Sequence, residues 1–297
     1  MAGRKDVEFP TADGLKLRGW LYSAGEKRPC IILTQGLSGK KEHFLDVFAE
    51  RFQAAGYAAL AYDNRNWGAS DGSPRNESDP LLQTRDYSAA FDYAASLPDV
   101  DPTKIVFWGS SLAGGNAICA AAVDKRVKAV ISQVPFTSGE FVSMAIGPLA
   151  GHILADHPQA VNGGSPTMWP VIPESADELQ NGTSKAILNT PDVIPFLEAL
   201  DHKGATTEKS VTLQSLFYMM SHEPKAFIHR ISPTPLLMVV GENDLCVPTN
   251  LQLAMYQLAA EPKQVHVVRG TGHFGVYYGD KFEENIKVQV DFLNRML

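Results

Sequence analysis

The chain is predicted to adopt an α/β fold, a mostly parallel sheet with helices on both faces and one long helical insertion. Three observations predict it. Short apolar runs rich in β-branched residues alternate with amphipathic stretches between Cys30 and Ser132, the same alternation resumes at Pro235, and no clear strand signal occurs from about Phe136 to Ile231. Repeated β-α-β units require a parallel sheet covered on both sides. An interruption of roughly ninety-five residues is too long for a plain connecting loop.

The elements follow in order. Val7–Pro10 and Leu15–Ser23 flank Asp13-Gly14, a type I′ turn dipeptide, so an antiparallel hairpin opens the chain. Cys30–Thr34 is a continuous apolar run, the pattern of a strand buried on both faces. Phe44, Val47, Phe48, Phe52 and Ala55 recur at helical spacing, with Gly56 as the stop. Tyr57–Tyr62 is the next strand, and Asp86–Leu97 a helix ended by Pro98. Ile105–Trp108, Ala113–Val123 and Val127–Ser132 read as strand, small-residue helix and strand. Beyond the insertion come a strand at Pro235–Val240, a helix around Leu251–Ala260, a strand at Val265–Val268 and a helix from Lys281 to Leu297. The expected division is a core of residues 1–135 and 231–297, with 136–230 inserted.

Composition narrows the function classes. The chain is 44% hydrophobic and 20% charged, an ordinary globular balance. Lysine and arginine number 26 against 33 acidic residues, a net charge of −7 with no basic cluster. Nucleic acid and anionic membrane surfaces are therefore poor partners. No apolar run reaches the ~18 residues of a membrane span. Cys30, Cys119 and Cys246 are odd in number and far apart, which fits buried thiols in a reducing compartment. Met1–Glu8 lacks the apolar region of a secretory signal and Asn294–Leu297 matches no peroxisomal address, so a cytoplasmic protein is expected. Neither a metal nor a nucleotide cofactor is expected, because there is no His-x-x-x-His pair, phosphate loop or dinucleotide fingerprint.

The chemistry concentrates at Ile105–Gly115, which runs strand, tight turn, helix. Gly109-x-Ser111-x-Ala113 is a variant of Gly-x-Ser-x-Gly, in which a serine at a strained turn needs small residues two positions either side. Ser110 has Trp108 where that spacing requires glycine, so Ser111 is the candidate nucleophile. A serine hydroxyl needs a base, itself oriented by a carboxylate. His273 lies in a glycine-rich loop after the last strand, whereas His43, His152, His157, His202, His222, His229 and His266 fall on helices, in the insertion or within a strand. Asp244 follows the preceding strand and is preferred to Glu242, whose carboxylate is expected to point into packing. Cys246 reads as a small buried side chain. The backbone N–H groups of Leu112 and Leu37 are the candidate oxyanion donors.

Three blocks resemble the α/β-hydrolase superfamily: Gln35-Gly-Leu37, Tyr62-Asp-Asn-Arg65-x-x-Gly68-x-Ser70-Asp-Gly72, and the Ser111/Asp244/His273 frame. Within it they are similar to the X-Pro-peptidase/dienelactone-hydrolase-like branch that includes fungal polyketide transferases and polyketide-tailoring hydrolases. Arg85-Asp-Tyr87, Glu261-Pro-Lys263 and Gly272-His-Phe274 strengthen the likeness. Gln35 stands where a histidine is usual, and Asn66, followed by Trp67, where a glycine is usual; both departures are expected to alter the oxyanion side. The resemblance implies an eight-stranded α/β-hydrolase fold, with a helical cap after the sixth strand lying over the nucleophile. Gln35, Trp67, Met144, Trp169, Phe217 and Met220 are the expected substrate-binding residues, with Ile146, Leu149, Met168, Tyr218 and Met219 as further candidates for an acyl pocket. The implied activity is acyl transfer from a hydrophobic, polyketide-type ester or thioester through a Ser111 acyl-enzyme. An acyl-carrier domain is a potential partner, and water, another alcohol or an internal hydroxyl a potential acceptor. Plain ester hydrolysis, a cyclase or isomerase without an acyl intermediate, and a ligand-binding protein on the same scaffold are the rival readings.

Overall fold

A computed structural model describes residues 3–297, so Met1 and Ala2 of the N-terminal segment lie outside the described residues. The hairpin is present as β1 (Lys5–Pro10) and β2 (Lys16–Tyr22), paired antiparallel. Its turn is not type I′, which needs positive φ at both central residues. Only Gly14 has one (+87°), and Thr11 N–H donates to Leu15 O (2.8 Å) to close a longer loop.

The strands β3 (Arg28–Thr34), β4 (Ala58–Tyr62), β5 (Val100–Ser110) and β6 (Ala129–Gln133) follow, with helices α1 (Leu45–Ala54), α2 (Pro80–Ser96) and α3 (Leu112–Val123) between them. Helix α2 begins six residues before the position expected from apolar spacing. Asp79 caps it, accepting from Leu81 N–H and Leu82 N–H, and Pro80 supplies the fixed φ of a first helical position. Between β6 and the next strand of the main sheet lie α4 (Gly139–Ala145), α5 (Ala150–Val161), α6 (Ala176–Gln180), α7 (Val193–His202) and α8 (Leu213–Met220). That stretch also holds two strands, β7 (Met168–Pro170) and β8 (Ser210–Thr212), which pair antiparallel. Three residues apiece are too few to show alternation, and their partners are distant in sequence, so only the tertiary fold reveals them. The chain closes with β9 (Leu236–Gly241), α9 (Thr249–Leu258), β10 (Lys263–Val268) and α10 (Gly279–Met296).

The main sheet has eight strands in the order β1-β2-β4-β3-β5-β6-β9-β10. Only the β1–β2 and β2–β4 pairs are antiparallel; every other pair is parallel. Alternation along β3 shows why its apolar run is continuous. Ile31 and Leu33 enter a core with Phe48, Phe282 and Phe292, whereas Cys30 and Ile32 enter one with Tyr87, Phe91 and Ile118. The first of these cores also takes in Phe136, Val142, Ile153, Leu216 and Met219, so the inserted stretch buries its apolar side chains continuously with the sheet. It is also tied to the loop before α2: Thr212 N–H donates to Asn76 O (2.9 Å) and Ser78 N–H to Ser215 Oγ (2.9 Å).

The loop after β4 is fixed by a buried ion pair. Arg65 reaches both Asp86 oxygens (2.7 and 2.6 Å) and, at its outer edge, Asp13. Replacing Arg65 with methionine strands the Asp86 carboxylate in the interior, where loss of one partner of a buried pair costs about 3–5 kcal/mol. Chemical denaturation of Arg65→Met is expected to show a loss of that size.

Candidate active site

The elbow at the end of β5 is strained. Ser111 has φ 58° and ψ −124°, a conformation that costs a non-glycine residue about 1–3 kcal/mol unless its surroundings impose it. They do. Ser111 N–H donates to Gln133 O (2.9 Å) on β6, and Ser111 O accepts from Phe136 N–H (2.9 Å) and Gly114 N–H (2.9 Å). A Cβ on Gly109 would lie 2.0 Å from Ala113 O, which is why the motif needs glycine there. The Tyr87 hydroxyl sits 2.9 Å from Trp108 O and 3.2 Å from Ala113 O, bracing both sides of the bend.

The other two polar groups converge from the C-terminal ends of β9 and β10. Asp244 Oδ1 accepts from Cys246 N–H and Val247 N–H (both 2.9 Å), and Oδ2 accepts from Gln252 Nε2 (2.8 Å). His273 Nδ1 lies 2.7 Å from Asp244 Oδ2, and its Nε2 lies 3.0 Å from Ser111 Oγ. A carboxylate only accepts, so Nδ1 carries the proton and the Nε2 lone pair faces the serine hydroxyl. Burial of the ring pushes the His273 pKa down, but the charge and hydrogen bond of Asp244, and behind them the charge of Asp192, outweigh it and raise the value overall. The arrangement can take a proton from Ser111 and hold the resulting imidazolium. Glu242 does not point into packing as expected: it is exposed at the strand end, where its carboxylate accepts from Gly270 N–H (2.7 Å).

Gly36 stacks the loop after β3 directly on the elbow. An added Cβ would come within 2.6 Å of Ser111 Cβ and 3.1 Å of Leu112 N. Among the described residues the N–H groups of Leu37 and Leu112 donate to no protein acceptor, and both residues line the cavity beside Ser111. Gln35 lines a small slot beside Ser111, with its side-chain amide bonded to protein groups. Its Oε1 accepts from Gly36 N–H (3.0 Å) and from the Tyr277 hydroxyl (3.1 Å), while Nε2 donates to His43 O (2.8 Å). The competing Ser110 is sealed behind the elbow between Tyr277 and Gln133. Asn66 has φ +70°, a left-handed conformation that asparagine tolerates best after glycine. The departure from glycine at that position therefore preserves the turn. Trp67 is 1% exposed and donates its indole N–H to Glu77 O (3.0 Å), so it is a packing residue rather than a substrate contact.

An apolar cavity of about 610 Å³ opens over Ser111. Of the residues expected in an acyl pocket, Ile146, Leu149, Trp169 and Met219 line it. Met144 does not: it is 78% exposed on the outer side of α4. Phe217 packs against His157 instead, and Tyr218, Met220 and the exposed Met168 also lie off the cavity wall. Their places are taken by Phe136, Phe141, Val142, Ile187 and Leu216, which composition alone had not distinguished from core. Cys246 keeps its thiol buried, as expected, while the residue forms part of the wall of this cavity. Its thiol pKa is pushed well above the ordinary range, by burial first and then by the Asp244 and Asp192 charges. No cluster of three or more metal-ligating side chains occurs among the described residues, and no helix among them is long and apolar enough to cross a membrane.

Two residues near the site carried no recognisable sequence signal. Gln252 on α9 is completely buried and supplies a side-chain donor to Asp244. Asp192, just before α7, accepts from Phe274 N–H (3.0 Å) and packs on Gly272, so the inserted stretch grips the histidine loop from both sides of His273.

An eight-stranded mixed sheet with a serine at a strained strand-to-helix bend, and acid and histidine on later strand ends, defines an α/β-hydrolase. The chain belongs to the Alpha/beta hydrolase family, whose sequence profile matches residues 31–284. A thiohydrolase of Eupenicillium brefeldianum is 35% identical over 99% of this chain and 94% of its own length. The polyketide transferase ATR5 of Stachybotrys chlorohalonatus is 34% identical over 99% and 98%. A crystal structure of the α/β-hydrolase GrgF from Penicillium sp. sh18 superimposes with a TM-score of 0.85 at 33% identity, covering 99% of each chain. The protein is thus an enzyme of this family, related to thiohydrolases and polyketide transferases.

Two outcomes are expected. Gly36→Ala forces the loop away from the elbow and should lower kcat by about 10²-fold, the scale of losing one oxyanion donor, with circular dichroism unchanged. Asp192→Asn keeps an acceptor for Phe274 N–H but removes a negative charge that raises the His273 pKa. The acid limb of kcat/KM against pH, which reports protonation of the free base, should then move to lower pH.

Proposed function

We propose that this protein is a serine-dependent acyl-transfer enzyme for a hydrophobic thioester or ester, of the polyketide-type acyl class. One observation carries the reading: the Asp244–His273–Ser111 hydrogen-bond chain ends on the floor of an apolar cavity of about 610 Å³. His273 Nε2 takes the Ser111 proton as Oγ attacks the carbonyl carbon. The tetrahedral oxyanion is held by Leu37 and Leu112 N–H, and the thiol or alcohol leaves with the proton from His273. A second acceptor then repeats the sequence on the acyl-enzyme.

The stretch 136–230 acts as a cap in this reading, since Trp169, Leu149 and Met219 roof the cavity. A wall built mainly from aliphatic and aromatic side chains suits a long acyl chain better than a sugar or peptide. The names of the relatives, a thiohydrolase and a polyketide transferase, support a thioester donor, which an acyl-carrier domain would deliver.

Ser111→Ala and His273→Ala should each lower turnover of an acyl thioester by about 10³-fold or more, some 4 kcal/mol of barrier. Asp244→Asn should act comparably by favouring the wrong histidine tautomer. A fluorophosphonate should label Ser111 alone; absence of labelling favours a ligand-binding scaffold. Full activity in Ser111→Ala without any acyl adduct favours a cyclase or isomerase.

A further inference from the structure

We infer that the site has a second, separate compartment for the acyl acceptor, sized for water or a short primary alcohol and too narrow for a larger nucleophile. The inference rests on the acyl-transfer reading above and specifies its second half-reaction. Besides the large cavity, a slot of about 40 Å³ also reaches Ser111. The two share Leu37, Ser111 and Leu188, but only the slot is lined by His273. That division matters chemically, because the acceptor must surrender its proton to His273 Nε2 while attacking the carbonyl on Ser111.

The slot's wall also explains its narrowness. Phe196 and Leu200 of α7 are 8% and 0% exposed, and with Phe274 and Tyr277 they close around the histidine. The Phe196 and Phe274 rings are in contact, their centroids 4.8 Å apart, and close one face of the slot. Away from the reacting atoms the lining turns polar. Thr207 and Glu208 are half-buried there, and the Lys40 ammonium lies 3.7 Å from Glu208 and 2.7 Å from Thr206 Oγ1. A polar mouth, an apolar throat and the histidine at the inner end form a path for a small hydroxylic molecule. The slot exceeds the roughly 10–15 Å³ a cavity needs to admit a water. The large cavity meanwhile keeps the acyl chain, whose carbonyl is bonded to Ser111 Oγ where the two spaces meet.

In the step itself, the oxygen of water or R′OH bonds to the acyl carbon and its proton passes to His273 Nε2. Collapse of the tetrahedral adduct breaks the bond from that carbon to Ser111 Oγ. The proton on His273 moves to Oγ, releasing the acid or the R′ ester and restoring the free enzyme.

The test is product partition. The octanoyl thioester of N-acetylcysteamine is turned over in water containing equal concentrations of methanol, ethanol, 2-propanol or benzyl alcohol, and acid and ester products are quantified by mass spectrometry. Methyl and ethyl esters are expected beside the acid, with capture by 2-propanol and benzyl alcohol lower by about tenfold or more. Opening the throat with Phe196→Ala should raise the benzyl ester relative to the methyl ester by about tenfold. Leu197→Ala, on the half-buried edge of the same wall, provides the same measurement should Phe196→Ala fail to fold. Benzyl alcohol capture equal to methanol capture in the unaltered protein overturns the inference, as does an unchanged benzyl-to-methyl ratio in the folded variants. Either result leaves the Ser111 acyl-enzyme standing. Absence of thiol release together with an unlabelled Ser111 overturns the acyl-transfer reading and the inference with it.

Discussion

The strained backbone of Ser111 is the constraint on which the rest of the structure depends. A non-glycine residue at φ 58° and ψ −124° persists only where its neighbours leave no alternative. The neighbours are arranged accordingly: Gln133 O holds the Ser111 N–H, Phe136 N–H holds its carbonyl, and Gly109 lets Ala113 approach to contact. Because β5 and β6 are parallel and central in the sheet, the bend inherits the rigidity of the core. Release of this strain would rotate Oγ away from His273, so the fold and the chemistry rest on the same few hydrogen bonds.

Behind the elbow, a buried polar chain connects the C-terminal helix to the loop after β3. Gln289 Nε2 donates to Gln133 Oε1, Gln133 Nε2 to Ser110 Oγ, Ser110 to Tyr277, and Tyr277 to Gln35 Oε1. Gln35 then passes the series to His43 O and receives Gly36 N–H. An amide both accepts and donates through its two terminal atoms, and this is the use the fold makes of the glutamine at position 35. Fully partnered networks of this kind rigidify what they touch. Here they fix the Gln35–Leu37 loop, whose next free donor is Leu37 N–H.

The inserted stretch is bonded to the core at two places. Asp192 and the α7 side chains reach the histidine loop, while Thr212 and Ser215 bind the Asn76–Ser78 turn. The apolar surfaces of α4, α5 and α8 join the core above the sheet, so the cavity wall and the folding core share residues such as Phe136, Leu216 and Met219.

Much of this was determined by the sequence alone. Local pattern specified the strand and helix series, because burial on both faces of a parallel sheet leaves continuous apolar runs such as Cys30–Thr34. Glycine at 109 marked a place where backbones must touch, and the order serine, acid, histidine marked three strand ends. Even the missed start of α2 was written there, in Asp79-Pro80. Tertiary structure alone decided what local pattern does not encode. The β7–β8 ladder, the Asp192 grip and the Gln252 donor each depend on segments distant in the chain. The same holds for the cavity wall. Met144 and Met219 are the same residue type in one insertion, yet one is in solvent and the other lines the site, because the direction in which each helix faces is set by the packing of α4, α5 and α8 on one another.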